Sequence, residues 1–183
     1  MTDIKIRYCI DNLDSVPFED EWDIEGRLSI TKDNLVLTKK IDDPGDKGFR
    51  GDSIFYILEG WVNSVPKIFQ GEIYEVNFVD SQEGFLFIPK GEFTYFKYFV
   101  GGSGKILSQN GVRTVEEENK RYPNNEEGTS FETDVLVLEI IRVSESFIEF
   151  LDPKIKNKED VIRFKQALEE AREAYHQYSM RTK

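Results

Sequence analysis

The sequence predicts an α+β fold made mainly of antiparallel β-sheet, as a curved sheet, a sandwich or a barrel, with one amphipathic helix at the C-terminus. Apolar and polar residues alternate over most of the 183 residues, which is the period of a half-buried strand. After residue 153 the apolar spacing changes to three and four residues, the period of a helix. Aromatic residues make up 13% of the chain, which supplies large side chains for a packed core.

The alternation predicts about eight to ten strands along the chain. It is regular at residues 4–10, and it continues on both sides of the polar turn 32–34, which predicts a hairpin. A second hairpin is predicted over residues 85–100, where proline and glycine at 89–91 supply the turn. Residues 53–58 form a short apolar run. Further strands are predicted at 72–80, 131–143 and 146–151, the second because its residues are rich in β-branched side chains.

The C-terminal segment is predicted to form a helix over about residues 158–178. Its apolar residues fall on one face: Val161, Phe164, Leu168, Ala171, Tyr175 and Tyr178. We expect a single domain over 1–183, with a β-rich body at 1–153 and the segment 154–183 packed on the sheet as a helix. A polar stretch at 108–130 is predicted to be a long loop within the body.

The composition argues against several classes of function. The net charge is −11, which repels nucleic acid and anionic membranes and attracts basic proteins. The chain has one histidine and one cysteine, so the usual metal ligands and nucleophiles are scarce, and we expect no metal, no cofactor and no catalytic residue. No apolar stretch resembles a signal peptide or a membrane span, and we expect a soluble cytoplasmic protein. A homodimer is left open.

The acidic segment 11–25 is the first candidate for a binding surface. It contains seven acidic residues and no basic one, together with two aromatic residues. Acidic charges steer a basic partner and aromatic side chains anchor it. The residues assigned to this surface are Asp14, Phe18, Glu19, Asp20, Glu21, Trp22 and Asp23. The leading hypothesis is a non-catalytic protein that binds a basic protein, most concretely a bacterial immunity or inhibitor protein that neutralises a toxin or enzyme. The alternative is a solvated loop whose aromatics enter the core.

The aromatic strand 93–100 supports a different hypothesis. Phe93, Tyr95, Phe96 and Tyr98 would line a cavity for a small apolar ligand, or else belong to a central strand covered on both sides. Strands followed by a late helix form a layout similar to that of calycin-type ligand-binding barrels, although Gly60 and Trp61 are adjacent and an early Gly-x-Trp is absent. That resemblance implies a barrel that holds the ligand. A third hypothesis is a hydrolase that uses a pair of carboxylates.

Overall fold

The structure of the chain is a computed structural model that describes residues 3–101, 105–108, 111–123 and 127–181. Its strands are β1 (Ile4–Ile10), β2 (Gly26–Lys32), β3 (Leu35–Val36), β4 (Tyr74–Asn77), β5 (Glu83–Lys90), β6 (Phe93–Val100), β7 (Lys105–Ser108), β8 (Gly111–Thr114) and β9 (Thr129–Glu132). Its helices are α1 (Ile54–Phe69), α2 (Val115–Asn119), α3 (Thr133–Leu151) and α4 (Lys158–Arg181). The α+β class, the antiparallel sheets and the C-terminal helix are confirmed.

The first sheet has the strand order β1-β2-β3, and both pairs are antiparallel. Alternate side chains of β1 and β2 point to the core, so that Ile6 and Ile30 are opposite each other and both are buried. The turn between β2 and β3 has positive φ at Asp33 and Asn34, which suits a tight hairpin. The predicted strand 4–10 and the predicted hairpin around 32–34 are confirmed.

The second sheet has the order β4-β5-β6-β9 and is also antiparallel. The predicted hairpin around 89–91 is confirmed as β5 and β6. In β6 the even-numbered residues are buried and the odd-numbered ones are partly or largely exposed. The sheet therefore has one core face and one open face. Strands β7 and β8 form a separate two-stranded sheet, and the described residues form no closed barrel, so the barrel alternative is wrong for this part of the chain.

Two predicted strands are helical, which corrects the sequence-based assignment: residues 131–143 and 146–151 lie mostly in α3. The apolar run 53–58 contains the first residues of α1. In α1 the buried residues continue at helical spacing well past residue 58, through Trp61 and Val65 to Ile68. The indole of Trp61 packs edge-on against Phe85 and Phe87 of β5, with ring centres 5.0 and 5.5 Å apart. Helix α1 thus lies in the middle of the core.

Helix α4 is confirmed, but its main contacts are with α1 and α3 and not with a sheet. Phe164 of α4 packs against Phe55 of α1 and Phe147 of α3, with ring centres 5.1 and 5.9 Å apart. The sequence-based expectation placed this helix on the sheet, whereas its main neighbours are α1 and α3. Of the helices in the described ranges, none is both long and apolar enough to cross a membrane.

The predicted loop 108–130 is also corrected, because its described part has regular structure. It includes β8, α2 and the start of β9, while residues 109–110 and 124–126 lie outside the described residues. Helix α2 begins with a capping box, in which Thr114 and Glu117 each accept a hydrogen bond from the other's backbone. The cap explains how a strongly polar segment forms a helix.

Candidate functional site

The acidic segment 11–25 is held in place by the C-terminal part of the chain. The amide of Phe18 donates to the carbonyl of Lys154 at 2.8 Å, and the carbonyl of Phe18 accepts from the amide of Lys156 at 2.9 Å. The side chain of Phe18 is 0% exposed. The assignment of Phe18 to a binding surface is therefore corrected: this ring is a core residue, because backbone pairing with Ile155 turns it inward.

Several acidic residues assigned to the surface are already paired within the chain. Glu19 forms an ion pair with Lys156, and Glu21 with Arg163. Asp20 accepts a hydrogen bond from the amide of Trp22 at 2.9 Å, and Asp23 accepts one from the amide of Glu19, also at 2.9 Å. These contacts shape the segment and leave its carboxylates less available to a partner. Asp14 is exposed in the turn Leu13–Ser15.

The guanidinium of Arg163 contacts three carboxylates where the acidic segment 11–25 meets α1 and α4. Its guanidinium contacts Glu59 at 2.7 Å and Asp160 at 3.2 Å, as well as Glu21. Burial raises the pKa of Glu21, and Arg163 opposes that rise. The guanidinium carbon also lies 5.7 Å from the ring centre of Phe55. The arrangement fixes the turn that carries Trp22.

Trp22 is the exposed aromatic residue of the segment. Its side chain is 57% exposed and stacks on Tyr56 of α1, with ring centres 6.2 Å apart and an interplanar angle of 28°. Its own turn, Glu21–Asp23, is capped by Asp20. Trp22 is therefore an exposed indole held in a defined orientation, as a binding anchor requires.

Beside Trp22 lies an open cleft of about 300 Å³. Segments that are distant in sequence form its walls, and the lining residues are Asp11, Trp22, Ile24, Glu25, Asp52, Ser53, Val79 and Asp80. The amide of Asp80 donates to Asp52 at 2.9 Å, which joins the start of α1 to the loop after β4. Val79 is 47% exposed and adds an apolar surface. We call this site the Trp22 cleft.

The Trp22 cleft carries an excess of negative charge. Arg27 contacts both oxygens of Asp11 at 2.8 Å, and these hydrogen bonds lower the pKa of Asp11. Asp52 accepts from two backbone amides. The carboxylates of Glu25 and Asp80 have no ion pair or hydrogen bond to any described residue. The four carboxylates of the lining outnumber the one guanidinium that pairs with them, so the cleft is negatively charged.

The predicted ligand-lining residues of β6 do not come together. Phe96 and Tyr98 are buried in the core, so their assignment to a ligand cavity is corrected. Burial also raises the pKa of Tyr98. Phe93 and Tyr95 are on the open face of the sheet, and Lys90 lies 4.7 Å from the ring centre of Tyr95. Phe93 lines a separate cavity of about 340 Å³ together with Glu92, Glu132, Asp134 and Tyr178. We call this second site the Phe93 cavity.

Cys9, the single cysteine, lies next to the Trp22 cleft. Its sulfur is 3.7 Å from Asp11 Oδ1, and burial followed by the charge of Asp11 raises the pKa of the thiol. The protonated form is thus favoured at neutral pH, which is unfavourable for a nucleophile. Within the ranges that the structure describes, no group of three or more histidine, cysteine, aspartate or glutamate residues is arranged to hold a metal ion.

Comparison with known proteins found no matching family model, no similar curated protein and no similar solved structure.

Proposed function

We propose that this protein is a non-catalytic binding protein that recognises a basic surface on another protein through the Trp22 cleft. The observation that carries the proposal is Trp22, an indole more than half exposed yet held against Tyr56, beside the carboxylates of Glu25 and Asp80, which pair with no cation among the described residues. Tryptophan is enriched among the residues that dominate binding energy at interfaces. This surface shares Trp22 with the one expected from sequence, but the other residues assigned there do not line the cleft.

Charge supports the same proposal. A chain with a net charge of −11 attracts basic proteins over long distances, which raises the rate of association at low salt. Close to the cleft, the unpaired carboxylates would then fix the orientation of the partner. The indole supplies apolar area that salt does not screen. Steering and anchoring are thus provided by different groups on one surface.

The concrete form of the proposal is an immunity or inhibitor protein that neutralises a basic toxin or enzyme by covering its active surface. A chain with a single cysteine folds without disulfides, and we place this function in the cytoplasm, where thiols stay reduced.

The test is capture of a partner by immobilised protein from a lysate of the native cell, at low and high salt. The site variant is Trp22→Ala/Glu25→Gln/Asp80→Asn. The matched control is Phe93→Ala/Glu92→Gln/Glu132→Gln, which removes the same numbers of aromatic rings and charges from the Phe93 cavity. We expect wild type and control to retain one basic protein at low salt, and the site variant to lose it.

The two triple variants separate the competing explanations. Equal loss in both would show that net charge alone retains the protein, and would contradict a specific surface. Retention by the site variant and loss by the control would move the binding site to the Phe93 cavity. Circular dichroism of both variants confirms that any loss does not come from unfolding.

A further inference from the structure

We propose that the free edge of β4 is a dimer interface, at which two copies of this chain join their sheets edge to edge. Strand β4 is the terminal strand of the sheet β4-β5-β6-β9, and among the described strands it pairs with β5 alone. A second copy is a different partner from the basic protein proposed for the Trp22 cleft, so this inference does not depend on the proposed function.

The register with β5 shows which backbone groups of β4 point outward. The amide of Phe78 donates to the carbonyl of Glu83 at 2.8 Å, so these residues form a hydrogen-bonded pair. In an antiparallel ladder such pairs alternate with pairs that exchange no hydrogen bonds. Glu75 and Asn77 therefore belong to pairs of the second kind, and their N–H and C=O groups point away from β5. Among the described residues, none bonds to these outward groups.

Two other sheet edges are occupied by side chains, which distinguishes β4 from them. On β1, the amide of Ile6 donates to the carboxylate of Glu139 at 2.8 Å. On β9, the carbonyl of Ser130 accepts from Lys32 at 2.5 Å. The segment 72–80, which contains β4, has no lysine and no proline, the residues that commonly prevent an edge from pairing. The edge of β4 is thus open to another strand.

A second copy of β4 fits this edge. With a two-fold axis at Val76, Glu75 of each copy lies opposite Asn77 of the other, and their outward backbone groups face each other. The register places each carboxylate beside an amide. Continued beyond the strand, it brings Ile73 of each copy opposite Val79 of the other, and these side chains are 64% and 47% exposed. One register therefore matches backbone hydrogen bonding, charge and apolar area.

The other two-fold registers fit less well. An axis between two residues sets outward backbone groups against inward ones, so the hydrogen bonds are lost. An axis at Glu75 sets that carboxylate against its own copy, and like charges directly opposite each other destabilise a strand pair. An axis at Asn77 pairs only that residue within the strand, because Glu75 then lies opposite Val79, beyond the end of β4.

The experiment is sedimentation velocity of the intact protein between about 10 µM and about 1 mM, since an interface made by one short strand is small and weak. We expect the mass to rise from that of one chain towards that of two. Each copy carries a net charge of −11, so salt should strengthen the dimer by screening the repulsion, whereas it should weaken capture of a basic protein.

Hydrogen exchange locates the interface. The outward amides of Glu75 and Asn77 should exchange more slowly as the protein concentration rises. The amide of Val76, which is directed towards β5, should exchange at a rate that does not depend on concentration.

Variants at residue 77 test the register. Asn77→Lys faces Glu75 of the other copy and should lower the Kd of the dimer about fivefold, and Asn77→Glu should raise it by a similar factor. The matched controls are Gln166→Lys and Gln166→Glu, which make the same charge changes at an exposed position of α4 and should change the Kd less than about twofold. Val79 is left unchanged because it also lines the Trp22 cleft. Unfolding cannot account for opposite effects of the two Asn77 variants.

Each outcome supports or overturns a definite statement. A monomer at 1 mM in high salt overturns the inference, and so does a dimer in which exchange at Glu75 and Asn77 is unchanged. Asn77 variants that shift the Kd in the same direction, or not at all, overturn the register. Slower exchange only after addition of a basic protein would assign the edge to a strand of that protein. A monomer that still captures a basic protein keeps the proposed function intact, and a dimer that captures none contradicts it.

Discussion

Replacing Glu118 by glutamine should destabilise the fold by about 2 kcal/mol at neutral pH and by almost nothing in strong acid. Glu118 lies on α2 with only 5% of its surface exposed. Its carboxylate faces three cations: Arg121 Nη1 at 3.1 Å, Lys40 Nζ at 3.3 Å and Arg113 Nη1 at 3.4 Å. These contacts attach α2 and β8 to the loop that contains Lys40.

The magnitude follows from the contacts that are lost. A hydrogen bond to a charged group contributes about 1.5–3 kcal/mol, and the longer pairs to Lys40 and Arg113 are partly exposed to solvent and therefore weaker. Glutamine keeps one carbonyl acceptor, and Arg121 keeps its contact with Asp42 at 2.8 Å. A net loss of about 2 kcal/mol corresponds to a fall in Tm of about 4–8 °C for a chain of this size.

The pH dependence has a definite sign. Burial raises the pKa of Glu118, but the hydrogen bond from Arg121 and the charge of Lys40 outweigh it, so the folded-state pKa is lowered. A lowered pKa stabilises the fold above the unfolded value, about 4.3 for glutamate, and this stabilisation is lost as the pH falls through the folded-state pKa. The difference between wild type and E118Q should therefore narrow below about pH 4.

Urea unfolding followed by circular dichroism at several pH values measures this difference. The control is Glu116→Gln on the same helix, since Glu116 is largely exposed and pairs with Lys120 alone among the described residues. This variant should unfold at the same urea concentration as wild type. The reasoning is refuted if E118Q is as stable as E116Q at pH 7, or if the gap between E118Q and wild type stays constant into acid.

Two further predictions concern the acidic segment and the edge of the first sheet. Phe18→Ala should cost about 3–5 kcal/mol in unfolding free energy, as for a fully buried ring, while Trp22→Ala should cost less than about 1 kcal/mol; similar losses would contradict their different burial. Glu139→Ala should cost about 1–2 kcal/mol and speed hydrogen exchange at the Ile6 amide, which donates to Glu139 Oε1 at 2.8 Å. An unchanged rate of hydrogen exchange at the Ile6 amide would refute the prediction for Glu139.

Alternation of apolar and polar residues was sufficient to predict a strand where that strand has one core face and one open face. Residues 4–10 and the hairpin of β5 and β6 have this pattern, and both were predicted within a residue or two. Successive side chains of a strand point to opposite faces. Burial of one face therefore produces the alternation of apolar and polar residues by itself. The sequence therefore predicted these elements without knowledge of their neighbours.

Helices α1 and α3 could not be recognised from local composition. The residues of α3 are rich in valine and isoleucine, which favour strands, yet its buried residues Leu136, Ile140 and Phe147 follow helical spacing. In both helices the buried face is wide and apolar, so a short stretch of the sequence contains a nearly continuous run of apolar residues. Packing of these two helices against each other and against α4 decides their secondary structure, and that information is not local.

The Trp22 cleft was predictable in part. The sequence pointed to Trp22 and to the acidic segment, because an aromatic residue among seven acids is conspicuous. Asp52 and Asp80 are 28 residues apart and belong to different loops, and only the fold brings them to the same cleft. The different burial of Phe18 and Trp22 depends on the backbone pairing of Phe18 with Ile155, and no local sequence pattern indicates this pairing.

That pairing has a consequence for the order of events during synthesis. The segment of Phe18 and Glu19 takes its backbone partners from residues 154–157, which leave the ribosome more than a hundred residues later. Contacts so distant in sequence form late, because the intervening chain must be made and ordered first. A nascent chain that lacks α4 also lacks Arg163, which holds the turn of Trp22. We therefore expect the proposed binding surface to be assembled only after the C-terminal helix has been made.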